Sequence, residues 1–173
     1  VRLPGMVFAA IRHGPHGGAE LGEFDPALAA GQRGVIKLVR GRGWLAALAQ
    51  NWCAAEQALA CIAPQFVTPG KPDSAAIEQA LDEAVRRGAV AHVETRGAGD
   101  SGFTAGLALR YDIAPALHAT LETTCATARL ADGTLELWLP TQAPEAARAA
   151  AATAVGMSLA DGVLYPVGAG GSF

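Results

Sequence analysis

Three short stretches hold the groups that could do chemistry. The glycine-rich segment GAGGSF, at 168–173, would let backbone N–H groups approach a phosphate or another anionic ligand. In LHATLET, His118 and Glu122 are close enough to share one loop or strand edge. Gln142, in PTQAP, puts an amide donor at the start of a predicted helix, where a rigid donor can stabilise developing negative charge. Each has a structural alternative: a turn, a hydrogen bond or an ordinary first-turn residue.

No established catalytic or metal-binding motif accompanies these residues. The sequence lacks GxSxG, HExxH, GxxxxGK[ST] and the Rossmann glycine pattern. Cys53, Cys61 and Cys125 show no CxxC or Cys/His spacing, so we predict buried free thiols and no metal ligands. His13 and His16 flank a turn, where we expect them to be solvated.

Composition narrows the class of protein. The chain has 173 residues, of which 51% are hydrophobic, and a formal charge of −3. That is enough apolar material for one ordinary domain or two small ones, and it argues against disorder. The absence of a basic cluster argues against a nucleic-acid surface. The apolar runs are shorter than the roughly 20 residues of a membrane helix, so we expect no transmembrane segment.

The first 68 residues predict a small β-β-α-β-β-α-β unit. Asp25 caps a short helix, and Asn51 caps a longer one. The apolar side chains of the longer helix have near-helical spacing, and Trp52, Leu59 and Ile62 should face the strands GVIKLV and LAALA. The side chains with this spacing are Trp52, Ala55, Leu59 and Ile62. The predicted strands are MVFAAIRH, AELGEF, GVIKLVRG, GWLAALAQ and PQFVT.

The rest of the chain predicts a linker and a second unit. One helix, SAAIEQALDEAVRRG, is capped by Asp73 or Ser74 and lies within the linker. Beyond it, alternation predicts a strand at FTAGLALRYDI, and TTCATARL and TLELWLP predict a hairpin around the Asp-Gly turn in ADGT. A helix in TQAPEAARAAAATAVG and a strand at GVLYPVG complete the pattern. The predicted fold class is α+β.

An ordered set of motifs resembles one enzyme family. RLPGMVFAAIRHGP and LAALAQNWCAAEQAL look like the start and the completing helix of an α/β hammerhead domain. LHATLET, LELWLPTQAPEAARAAAA and GAGGSF look like successive signatures of a molybdenum-binding domain. Together they resemble the large subunit of the xanthine dehydrogenase and aldehyde oxidase family, in particular its isoquinoline 1-oxidoreductase type. The resemblance implies a hammerhead-like domain at 1–68, a linker with one helix at 69–102, and the N-terminal part of the molybdopterin-binding domain, cut short, at 103–173.

The resemblance also implies which residues approach the cofactor. Gln142 matches the glutamine whose amide lies beside an oxo ligand of the molybdenum. Gly170, Gly171, Ser172 and Phe173 match the first four places of the GGxFG loop near the metal ligands and the pterin, although many relatives have glycine in place of Ser172. No catalytic residue is implied in this chain, because the general-base glutamate of the family belongs to a GxGE motif that is absent from the sequence.

The resemblance further implies a parent protein with a molybdenum–molybdopterin cofactor, in its cytosine dinucleotide form. That parent would hydroxylate an N-heterocycle or aldehyde with water-derived oxygen and pass electrons to a small [2Fe–2S] subunit. We expect the chain itself to be an inactive piece that binds no cofactor alone and can form a homodimer. The alternative is a non-catalytic interaction or scaffolding domain with the hammerhead fold. The substrate and the location, cytoplasmic or periplasmic, stay open.

Overall fold

The chain folds as a mixture of helices and small sheets. The computed structural model describes residues 1–15, 18–70, 73–87, 106–107, 109–114, 119–120 and 122–168. Within those ranges there are three α-helices and eight short strands, which confirms the predicted α+β class. The chain divides into two compact units, Gly5–Phe103 and Val1–Pro4 with Thr104–Phe173.

The first unit is built on a three-stranded antiparallel sheet. Its strands, in chain order, are β1 (Phe8–His13), β2 (Glu20–Leu21), β3 (Val35–Arg40), β4 (Trp44–Ala49) and β5 (Phe66–Val67). In the main sheet β4 lies between β1 and β3, while β2 and β5 form a separate two-stranded ladder. A short 3₁₀ helix, Pro26–Ala29, precedes β3, and the Asp25 side chain accepts a hydrogen bond from the Ala27 N–H, as the capping signal predicted.

Helix α1 (Trp52–Ile62) covers one face of this sheet. The Asn51 side chain accepts a hydrogen bond from the Ala54 N–H at 2.9 Å, which confirms the predicted cap. The helix ends at Ala63, which is left-handed at φ 46° and donates its N–H to the Leu59 carbonyl.

Alanine lets the helix and the sheet approach closely. Ala47 and Ala49 on β4, and Ala55 and Ala58 on α1, have no exposed surface. Leu59, which is 1% exposed, fills the space between them. A core made largely of small side chains therefore depends on close backbone approach and on a few large residues.

The prediction that Trp52 belongs to the buried stripe is wrong, because Trp52 is 58% exposed. The buried side chains of α1 centre on Ala58 and Ile62. At about 100° per residue, Trp52 lies roughly a quarter turn from that centre. The small alanines, and not the large aromatic residue, face the sheet.

The ion pair between Arg12 and Glu56 joins β1 to α1. Hydrogen bonding to the Glu56 carboxylate raises the pKa of Arg12 above its ordinary value. The guanidinium stays charged. The ion pair lies at one edge of α1, beside the apolar contact between the helix and the sheet.

Loss of the Asn51 cap should destabilise the first unit. We expect Asn51→Ala to lower the free energy of unfolding by about 0.5–2 kcal/mol, because the Ala54 N–H loses its acceptor. Asn51→Ser keeps a side-chain oxygen and should stay within about 0.5 kcal/mol of wild type. Urea denaturation measures both, and equal losses in the two variants would contradict the capping role.

Helix α2 (Ser74–Arg87) follows the first unit's last strand. The Asp73 side chain accepts a hydrogen bond from the Ala76 N–H at 2.7 Å, so Asp73, rather than Ser74, is the cap. No side chain of α2 is buried, and its apolar residues Ile77, Leu81 and Val85 are 39%, 51% and 75% exposed. Its packing therefore contributes little to the core of the unit.

The second unit contains a three-stranded mixed sheet with one covering helix. Its elements are β6 (Thr127–Ala131), β7 (Thr134–Leu139), α3 (Pro144–Val155), a 3₁₀ turn (Leu159–Asp161) and β8 (Gly162–Pro166). The order is β6-β7-β8, with β6 antiparallel and β8 parallel to β7. Leu135 and Leu137 are buried against Ala152 of α3.

The β6–β7 hairpin is closed by the predicted Asp-Gly turn. Asp132 and Gly133 have φ values of 50° and 73°, the left-handed conformation that a type I′ turn requires at both central positions. Aspartate and glycine tolerate this conformation well, so the two residues determine the register Ala131↔Thr134.

Part of the strand prediction for this unit is wrong. In FTAGLALRYDI, the described residues 106–107 and 109–113 are not in a strand, and β6 begins only at Thr127. Leu107, Leu109 and Ile113 are 75%, 66% and 92% exposed. Alternation favours an extended backbone, but a strand also needs a paired neighbour, and these described residues have none.

The prediction of buried cysteines is also wrong. Cys53, Cys61 and Cys125 are free but exposed. Cys53 and Cys61 lie outside the buried side of α1, and Cys125 precedes β6. Cysteine is among the most buried residue types on average, yet here the position on the helix decides its exposure.

Candidate functional site

The carboxyl ends of β7 and β8 lie at one edge of the second unit's sheet. The two strands are parallel neighbours, with Leu139 opposite Pro166. Their pairing continues one step further, because the Val167 N–H donates to the Leu139 carbonyl at 3.3 Å. Ligands of open sheets with parallel strands commonly bind outside the carboxyl ends of those strands. This edge, which we call the carboxyl edge, is therefore the candidate site.

Gln142 lies between the carboxyl edge and helix α3. It is three residues beyond the end of β7, and it is exposed. Next to it, the Thr141 hydroxyl accepts a hydrogen bond from the Ala143 N–H at 3.0 Å. This hydrogen bond joins the residues on either side of Gln142, and it does not involve the side-chain amide of Gln142.

The N-terminus of α3 lies at the same edge. Its N-cap residue is Ala143, which makes no side-chain capping hydrogen bond, and Pro144 occupies the first turn. The first N–H groups of a helix point outward and carry partial positive charge. A helix without a side-chain cap can therefore offer those donors to a ligand.

The glycine-rich segment also begins at the carboxyl edge. Gly168 is two residues beyond β8, and a Cβ atom added at Gly168 would meet nothing within 4 Å. The predicted cofactor contacts lie outside the described residues: Gly170, Gly171, Ser172 and Phe173. The structure thus brings the start of the segment and Gln142 to one edge, and the roles of those four residues stay predictions.

Arg148 connects α3 to the beginning of β8. Its Nη1 donates to the carbonyls of Leu159 and Gly162 at 2.9 and 3.1 Å, and its Nη2 pairs with Glu145 at 2.6 Å. The i,i+3 spacing of Glu145 and Arg148 is a sequence signal for the ion pair. No sequence signal predicts the two backbone acceptors.

A shallow groove lies beside the Arg148 contacts. It has a volume of about 310 Å³ and lies between the first turns of α3 and strand β8. Glu145 and Arg148 line it from the helix, and Val163, Leu164 and Pro166 line it from the strand. Thr141 reaches the same groove, so the groove is continuous with the segment that carries Gln142.

Two of the remaining candidate residues, His13 and Glu122, lie in the part of the chain that the structure describes. His13 is exposed at the end of β1 in the first unit, and Glu122 is exposed ahead of β6. His16 and His118 lie outside the described residues. The suggested pairing of His118 with Glu122 therefore stays a prediction.

Two absences concern only the part of the chain that the structure describes. In that part, no three His, Cys, Asp or Glu side chains are grouped so as to hold a metal ion. The helices there are all too short or too polar to cross a membrane.

Comparison with known proteins defines the fold. No family model matches the sequence, and no curated protein matches it either. Among solved structures, quinoline 2-oxidoreductase from Pseudomonas putida 86 matches the whole chain with a TM-score of 0.66 and 17% identity. The Cu,Mo-CO dehydrogenase matches the whole chain with a TM-score of 0.52 and 14% identity.

The chain spans 28% of the quinoline 2-oxidoreductase chain and 29% of the CO dehydrogenase chain. At these identities the similarity establishes the fold alone. The fold is therefore that of a part, less than a third, of two much longer oxidoreductase chains.

Proposed function

We propose that the chain is part of the large subunit of a molybdenum hydroxylase. The observation that carries this proposal is the carboxyl edge, where parallel strands β7 and β8 end side by side, with Gln142 three residues beyond β7 and Gly168 two residues beyond β8. The motif resemblance assigns these same two segments to the cofactor. The fold similarity to quinoline 2-oxidoreductase supports the proposal independently of the motifs.

The groups at the carboxyl edge fit a molybdenum–molybdopterin cofactor. A large cofactor that carries phosphate needs hydrogen-bond donors and unobstructed backbone. The edge supplies the exposed Gln142 amide, the first turn of α3 without a side-chain cap, and a backbone position at Gly168 where even an added Cβ atom would meet nothing within 4 Å. Glu145 is the acidic residue of that first turn, and Arg148 pairs with it. The donor set therefore suits an anionic ligand.

We assign Gln142, and the backbone of Gly170, Gly171, Ser172 and Phe173, to cofactor binding. When bound, the cofactor supplies the two-electron oxidation of a substrate carbon, with oxygen derived from water. Gln142 contributes a preorganised Nε2 donor for negative charge that develops in the transition state. The general-base glutamate is not in this chain and would come from another part of the parent protein.

Finer assignments follow from the motif resemblance. We propose a hammerhead-like domain at 1–68, a linker at 69–102 and the start of the molybdopterin-binding domain at 103–173. We further propose the isoquinoline 1-oxidoreductase type, the cytosine dinucleotide form of the cofactor, an N-heterocyclic or aldehyde substrate, and a small [2Fe–2S] subunit as electron acceptor.

The test of the proposal is the metal content of the protein that contains this chain. We expect the full-length product, expressed with molybdenum cofactor supplied, to hold about one molybdenum per chain by elemental analysis. It should oxidise an N-heterocycle or an aldehyde with a dye as electron acceptor. A well-folded full-length protein without molybdenum would overturn the proposal.

The 173-residue chain alone should behave differently. We propose that it folds but takes up no stoichiometric molybdenum and shows no hydroxylase activity, because a cofactor of this size needs donors from several loops. Elemental analysis after incubation with molybdenum cofactor is the measurement. One molybdenum per chain would contradict this expectation.

A specific surface favours the alternative of an interaction module. On the face of the first sheet opposite α1, the register aligns Ile11, Ala46 and Val39 across the three strands, and on the same face Leu48 pairs with Lys37. Ile11 is 44% exposed. An apolar sheet face of this kind can pack against a second copy of the chain. This face is the proposed homodimer surface.

Sedimentation tests the dimer. Ile11→Lys should shift the chain towards monomer, because it puts a charge on the exposed β1 side of the apolar face. Val67→Lys is the matched control, since Val67 is 67% exposed on β5 and lies outside that face. A wild-type chain that stays monomeric at high concentration would remove the dimer from the proposal.

A further inference from the structure

A stacked pair of aromatic side chains lies near the carboxyl edge. Trp138 and Tyr165 are cross-strand partners on β7 and β8. Their ring centroids are 5.3 Å apart, and the ring planes are inclined by 15°. Trp138 is four residues before Gln142, and Tyr165 is three residues before Gly168. The pair therefore joins the two strands close to the points where both candidate segments leave the sheet.

Polar contacts extend this pair across all three strands. The Tyr165 hydroxyl donates to Glu136 Oε1 at 3.4 Å, and Glu136 Oε2 pairs with Arg129 on β6. Alternation along β7 puts Glu136 and Trp138 on the face opposite Leu137, which is buried against α3. The second face of the sheet thus has its own set of contacts, independent of the helix.

Backbone hydrogen bonds by themselves hold the end of β8 only weakly against β7. β8 has five residues, and within the part of the chain that the structure describes it pairs with one strand, β7. The last bond of its ladder, from the Val167 N–H to the Leu139 carbonyl, is 3.3 Å long, beyond the usual range of 2.7–3.2 Å. A side-chain contact just before this bond would add the restraint that the ladder lacks.

We propose that Trp138 and Tyr165 are positioning residues for the carboxyl edge. Their stack holds the ends of β7 and β8 at a constant separation, and hence the start of the Gln142 segment relative to the start of the glycine-rich segment. The contribution to catalysis rests on the proposed function, whereas the restraint on the strand ends does not.

The stack, rather than the hydroxyl, should supply most of this restraint. The contact between the Tyr165 hydroxyl and Glu136 is longer than the 2.5–3.0 Å typical of an O–H···O bond. An aromatic pair in this geometry contributes beyond its buried area. Tyr165→Phe should therefore behave like the wild type, while Tyr165→Ala should not.

Native-state hydrogen exchange on the chain tests the restraint. We expect Tyr165→Ala to accelerate exchange of the Val167 amide about 2- to 13-fold, the range for losing one aromatic pair. Tyr165→Phe should stay within 2-fold of the wild type. Tyr111→Ala, at a tyrosine that is 83% exposed, is the matched control and should leave the Val167 amide unchanged.

The Thr134 amide, at the hairpin end of β7, separates a local effect from general destabilisation. Acceleration at Val167 without a matching change at Thr134 supports the proposal. Equal acceleration at both amides, or none at Val167, overturns it. If Tyr165→Ala does not fold, Trp138→Phe keeps a smaller ring in the stack, and it should accelerate exchange of the Val167 amide by about 2- to 5-fold, again with the Thr134 amide unchanged.

A second measurement addresses the catalytic contribution in the full-length protein. With molybdenum bound, Tyr165→Ala should lower kcat about 10- to 100-fold, because displacing a catalytic group slightly is costly, and Tyr165→Phe should restore it. A turnover of Tyr165→Ala equal to that of the wild type would overturn the proposed contribution of the aromatic pair to catalysis. If the wild type holds no molybdenum, the proposed function fails, while the exchange experiment still decides whether the pair positions the strand ends.

Discussion

Gln142→Ala should lower the turnover of the molybdenum-loaded full-length protein by roughly 10- to 1000-fold, the range for removing one preorganised donor. Molybdenum content should stay near that of the wild type, because one amide is a small part of a large binding surface. Stability should change by less than about 0.5 kcal/mol, since Gln142 is exposed. Steady-state kinetics at matched metal content is the measurement.

Two variants sharpen this experiment. Gln142→Glu keeps the shape of the side chain but removes the N–H donor, so its turnover should fall at least as far as that of Gln142→Ala. Gln57→Ala, at an exposed glutamine on α1, should leave turnover unchanged. Unchanged turnover of Gln142→Ala at full metal occupancy would remove Gln142 from the mechanism. A parallel loss of molybdenum would instead assign it to cofactor retention.

Leu59→Ala should lower the free energy of unfolding of the first unit by about 2–5 kcal/mol. Leu59 is 1% exposed and lies among alanines, whose short side chains cannot move in to fill the cavity. Urea denaturation followed by far-ultraviolet circular dichroism measures the loss. Leu81→Ala, at a residue that is 51% exposed on α2, is the matched control and should cost less than about 0.5 kcal/mol.

A loss below about 0.5 kcal/mol for Leu59→Ala would show that α1 does not pack on the sheet as described. A large loss at Leu59 alone is the outcome that agrees with a core of small side chains around a few large ones.

Local structure was predictable because its causes are local. Asp25, Asn51 and Asp73 all accept hydrogen bonds from backbone N–H groups two or three residues later, as capping residues do. The Asp132-Gly133 turn follows from the conformations that these two residues tolerate. In each case the signal and the structure that it specifies lie within a few residues.

The wrong predictions concern properties that depend on distant partners. The alternation at 103–113 favours extended backbone, but the described part of it has no paired strand. Trp52 is exposed because the alanines of α1 face the sheet. The exposure of Cys53 and Cys61 has the same origin, since it depends on which side of α1 the sheet covers.

The features of the candidate site also fall into two groups, those that the sequence determines and those that depend on the tertiary structure. The sequence by itself determined the segments that carry Gln142 and the glycines, the helix that follows Gln142, and the strand that precedes Gly168. Only the tertiary structure decided that β7 and β8 are parallel neighbours, that Arg148 anchors the start of β8, and that Trp138 stacks on Tyr165. The physical reason is that parallel pairing joins residues 27 positions apart, such as Trp138 and Tyr165, through contacts that no local signal specifies.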